Sequence, residues 1–134
     1  MTNGRRHPRV RVRVLGALAL DAALVIAFAA TGRASHDSDV WAGLWQTAWP
    51  FIVGLAAGWL VTRAWRAPAA VVRSGFGIWA STVIGGMLLR AVSGQGTALP
   101  FVVVATLTLL VLLVGWRLIA ALVRRARQSR DRSR

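Results

Sequence analysis

Four stretches of about twenty residues, each nearly free of charge, set the terms on which this chain folds. They run over about 12–31, 47–65, 74–92 and 100–123. A bilayer's hydrocarbon core is about 30 Å thick, so a helix needs roughly 20 apolar residues to cross it. Backbone amides in lipid have no water to bond, and a helix satisfies them internally. The strands of a membrane barrel would alternate polar and apolar residues, and these stretches do not. The expected fold is all-α, an integral membrane four-helix bundle over 13–123. A basic tail is expected at 1–12 and a basic, disordered tail at 124–134.

Charge supports this picture through its placement. The chain has 134 residues and a formal net charge of +13, which in a soluble protein would point to nucleic acid. All 17 basic residues are arginine, however, and most lie in the two tails and one short loop. A nucleic-acid module would spread them over a folded face with interleaved aromatics, so no nucleic-acid partner is expected. The absence of cysteine excludes disulfides, thiol catalysis and cysteine metal sites. The first stretch follows a basic leader, as a signal peptide would, but its apolar region is too long and carries Asp21. It reads as a retained helix.

The arginines also predict orientation. Arg5, Arg6, Arg9, Arg11 and Arg13 precede the first span. Arg63, Arg66 and Arg73 lie between the second and third, and six more arginines follow the fourth. The opposite side carries Arg33 and Arg90 with Asp37 and Asp39. Positive residues stay cytoplasmic, so both termini are expected inside, in a multi-pass protein of the cell membrane. The tails are expected to meet anionic lipid.

Helices in lipid associate through close contact of small residues. Gly54 and Gly58 in the second span, and Gly77, Ser81 and Gly85 in the third, recur at steps of four. So do Ala19, Ala23 and Ala27 in the first. These faces suit either an intramolecular bundle or a seam between two copies. Trp41, Trp45 and Trp49 also recur every four residues. They suggest a short interfacial helix over 39–48, ahead of a second span opening at Pro50. Trp65 and Trp116 read as markers of the inner interface, Trp59 and Trp79 as packing residues.

Two charges fall deep inside the spans, away from their ends. Asp21 lies roughly 12 Å and Arg117 roughly 9 Å from the inner boundary. An aspartate at the centre of a span costs about 2.5–3.5 kcal/mol on insertion scales, so it needs a partner or a proton. Asp21 and Arg117 form a candidate buried pair, with a hydroxyl of Ser81 or Thr82 completing it. The other reading of Asp21 is a carboxylate that binds and releases protons or cations. At the outer face Arg33, His36, Asp37, Arg90 and Gln95 form a candidate polar cap. It is either a network fixing helix ends or an anion-binding, proton-responsive site titrated by His36. His36, Asp37 and Asp39 are too few and too close together for a metal motif, and no cofactor or metal is expected.

The segments "DAALVIAFAATGRASHD", "TAWPFIVGLAAGW", "GMLLRAVSGQGTALPFVVVATLTL" and "GWRL" resemble the family numbered 3054 among domains of unknown function. These are small predicted membrane proteins found largely in actinobacteria. The resemblance spans about 21–118 and implies location and span count, with no catalytic or ligand residues. Small multidrug-resistance transporters are similar in span number and in an acid on the first span. They use glutamate there, and their charge bias is weak.

No Ser–His–Asp order, no H-E-x-x-H and no paired carboxylates appear. The expected function is therefore a non-enzymatic bundle that assists or scaffolds a membrane partner. The partner is left open between a second copy and another membrane protein. The alternative is a small proton- or cation-coupled transporter or channel using Asp21 as an oligomer.

Overall fold

Long apolar runs with few breakers become long helices, and four of them account for most of the molecule. The computed structural model of the chain describes residues 7–34 and 40–133. Helix α1 spans His7–Ala34, α2 Val40–Thr62, α3 Gly77–Val92 and α4 Leu99–Arg132. A 3₁₀ turn at Ala64–Arg66 and a π turn at Val71–Phe76 lie between α2 and α3. Counting the π turn with α3, all four are long and apolar enough to cross a membrane. The protein is a multi-pass membrane protein by helix length and hydropathy.

Two boundaries differ from expectation. The segment ahead of Pro50 is helical, but it is continuous with the second span rather than a separate interfacial helix. Proline removes one N–H and crowds the preceding turn, which usually ends a helix. In a membrane span neighbouring helices re-satisfy the freed groups, and Pro50 is fully buried against them. The C-terminal tail, expected to be disordered, continues α4 as helix to Arg132. Its arginines, alanine and glutamine are favourable helix formers, and the helix they extend is already nucleated.

The connections stop the helices by local chemistry. Arg63 takes the left-handed conformation at φ 50° and ends the run that began with α2. After α3, Gly94 adopts φ 72°, and the amide of Gln95 donates to the carbonyl of Arg90 at 3.0 Å. That is a Schellman stop, for which glycine is the cheapest residue. Pro100 then enters the first turn of α4, where its missing N–H costs nothing.

Packing is closest between α2 and α3. A Cβ built on Gly54 would lie 2.9 Å from the carbonyl oxygens of Ser81 and Thr82. One on Gly58 would lie 3.0 Å from the Cα of Ile78, and one on Gly85 3.1 Å from the Cα of Gly54. Gly86 faces the Phe51 ring and Gly77 the Thr62 side chain, with no room for a methyl group. The small residues of the second and third spans thus form an internal seam. The alanines of the first span, Ala19, Ala23 and Ala27, are exposed.

The buried core runs through Val25, Phe51, Leu55, Ile78, Leu109 and Leu113. Near one end Phe28, Phe51 and Phe101 cluster, with ring centroids 5.3–6.3 Å apart. At the other end Arg13 of α1, residues 67–70 and Arg124 of α4 line a common cleft. The arginine-bearing helix ends and the loop between α2 and α3 therefore share one end of the bundle.

Candidate functional site

Asp21 is fully buried on α1, and Arg117 is fully buried on α4. Their side chains form a bidentate ion pair. Arg117 Nη2 donates to Asp21 Oδ2 at 2.6 Å and Nη1 donates to Oδ1 at 2.9 Å. Planar guanidinium and planar carboxylate match in this fork geometry, and low dielectric strengthens the attraction. Taking two charges out of water is expensive, so such a pair is stable only when its remaining hydrogen-bond capacity is filled.

Two tryptophans fill it on the aspartate side. Trp59 of α2 donates its indole N–H to Oδ2 at 2.9 Å, and Trp116 of α4 donates to Oδ1 at 2.8 Å. Each carboxylate oxygen thus accepts two hydrogen bonds. On the arginine side, Nε donates to the carbonyl of Pro68 at 2.9 Å and Nη1 also donates to that of Leu113 at 2.7 Å. The guanidinium carbon stands 4.4 Å from the Trp116 ring centroid, a cation–π contact. Among the described residues, no buried side-chain nitrogen or oxygen lacks a partner.

Three of the four long helices and one loop contribute. α1 supplies the acid, α2 one indole, the 67–70 loop a carbonyl, and α4 the arginine and the second indole. The π turn contributes a gap: a Cβ on Gly75 would lie 3.2 Å from Arg117 Cδ. The turn is pinned by the Gly75 amide donating to the Ala70 carbonyl at 2.9 Å, and Ser74 Oγ donating to Ala67 at 2.7 Å. These bonds hold the loop where Pro68 can accept from Arg117.

Ser81 and Thr82 do not complete the pair. Ser81 Oγ donates across the seam to the Gly54 carbonyl at 3.0 Å, and Thr82 Oγ1 donates back to Ile78 at 2.7 Å. Both lie on the α2–α3 seam, where the main-chain carbonyls are the nearest acceptors. Trp59 and Trp116 take the place expected for a hydroxyl. An indole N–H buried in hydrocarbon needs an acceptor, and that need was the available signal. Trp79 likewise donates to the Thr106 carbonyl at 3.0 Å, tying α3 to α4.

The outer polar residues divide. Arg90 donates to Gln95 Oε1 at 3.0 Å and to the Gln95 and Gly96 carbonyls, and it lies 4.3 Å from the Phe101 ring centroid. It fixes the α3–α4 turn. Arg33 packs its guanidinium over Gly43 and lies within 3.5 Å of Thr47 Oγ1, joining α1 to α2. His36, Asp37 and Asp39 lie outside the described residues.

A family model described as "Protein of unknown function (DUF3054)" matches residues 18–120, from just before Asp21 to just after Arg117. No curated protein and no solved structure matches the chain.

Proposed function

The chain belongs to the DUF3054 family, and from that premise we propose that it is a non-enzymatic membrane bundle that assists or scaffolds a membrane partner. The observation that carries this is the saturation of Asp21. A carboxylate that loads and unloads protons or cations needs an open face and a path for the ion. Asp21 has all four lone-pair directions taken by Arg117, Trp59 and Trp116. The pair is built to hold four elements in register. The rest of the bundle offers surface: Val103, Leu107, Val111 and Leu118 of α4 are exposed and apolar. Lipid or a membrane partner covers such a face.

We place both termini in the cytoplasm. The support is the excess of arginine at the end shared by the two termini and the loop between α2 and α3. Arginines close to the ends of a span resist translocation.

The test is ion flux. Proteoliposomes of the wild-type protein should hold a pH gradient as well as protein-free vesicles do, and Asp21→Asn should not change the leak. A proton or cation flux in the wild type that disappears in Asp21→Asn protein that keeps the wild-type helix content would establish the transporter reading instead.

A further inference from the structure

At the arginine-bearing end, α1 and α4 do not close on each other. The cleft between them has a volume of about 600 Å³ and is roofed by the 67–70 loop. It exists because its walls are small: Gly16 and Ala17 on one side, "APAA" on another. A Cβ on Gly16 would meet nothing within 4 Å. Its lining is graded. Arg13 and Arg124 are exposed and lie toward the ends of α1 and α4, and Leu20 and Trp116 lie about two turns further along the same helices. The two levels are seven residues apart on α1 and eight on α4, about 10–12 Å at helical rise. No carboxylate is among the lining residues.

We propose that this cleft seats one anionic phospholipid, its phosphate between Arg13 and Arg124 and its chain against Gly16, Leu20 and Trp116. Charge and depth both select this occupant. Two arginines and no carboxylate line the cleft, a balance that calls for an anion, and arginine binds phosphate oxygens in a fork. The arginines end the apolar spans, which places them at the headgroup layer, with the apolar walls beneath at acyl depth. A free phosphate would leave those walls uncovered. The site depends on this end meeting a headgroup layer, whichever leaflet that is, so it stands apart from the scaffold reading.

The experiment is native mass spectrometry of the full chain in neutral detergent with added phosphatidylglycerol or phosphatidylcholine. One phosphatidylglycerol should be retained in preference to phosphatidylcholine. Arg13→Gln with Arg124→Gln should weaken retention about thirtyfold, from two basic contacts. Gly16→Leu should abolish it without changing charge; if that variant loses helix content, Ala69→Leu fills the same cleft from the loop. Arg127→Gln with Arg130→Gln removes equal charge outside the cleft and should leave retention unchanged. Equal retention of both lipids would overturn the proposal. So would an equal loss in the Arg127/Arg130 pair, which would mark diffuse attraction, or displacement by inorganic phosphate alone. Retention surviving in the folded cleft-filling variants would overturn it as well.

Discussion

A buried ion pair is stable in hydrocarbon only if neither partner has a hydrogen-bonding group left over, and the two indoles meet that requirement for Asp21. Their contribution is separable from packing. Trp116→Phe keeps most of the ring against Arg117 but removes a donor to a charged oxygen. It should cost about 1.5–3 kcal/mol, read as a lower thermal unfolding midpoint in detergent. Trp59→Phe should cost a similar amount through the other oxygen. If Trp116→Phe were neutral, the indole N–H would not be part of the pair. The acid and the arginine could be matched from sequence because each is conspicuous in an apolar span and the two lie at similar depths. The indoles offered only the weaker signal of a donor in need of an acceptor, because a tryptophan in a span serves equally well for packing or for an interface. The Pro68 carbonyl was hidden for a different reason: every loop residue has one, and only the bonds of Ser74 and Gly75 show which is presented to Arg117.

The helices meet with unequal closeness, and glycine marks where. Gly54 leaves no room for a methyl group between α2 and α3, whereas a Cβ on Gly115 of α4 would touch nothing within 4 Å. The same substitution should therefore act in opposite directions. Gly54→Ala should destabilise by about 1–3 kcal/mol through overpacking. Gly115→Ala should stabilise by up to about 1 kcal/mol through helix propensity. Paired unfolding curves check both signs. The glycine spacing made the two faces legible before the structure, but it could not say whether they meet each other or a second copy. That depends on the crossing of two backbones, which a four-residue repeat does not encode. The continuity of α2 through Pro50 was illegible for a related reason. The cost of a proline is local, and the burial that offsets it is tertiary.

Taken whole, the molecule is a four-span bundle with most of its arginines toward one end and a buried ion pair that ties three of its helices at the centre. The sorting yields a direct prediction. The chain contains no cysteine, so single cysteines introduced at Thr2 and Ser133 can be labelled without background. Both should be shielded from an impermeant thiol reagent in intact cells and react after permeabilisation; labelling of either one in intact cells would refute the orientation. At the centre of the bundle Asp21 and Arg117 act as one structural unit, and a double-mutant cycle on unfolding in detergent tests this most directly. Asp21→Asn strands a buried guanidinium, and Arg117→Leu strands a buried carboxylate, so each alone should lose about 3–5 kcal/mol. Together they leave a neutral amide whose single oxygen can accept from one of the two indoles, and the double variant should recover at least half of the summed loss. Strictly additive losses would contradict the claim.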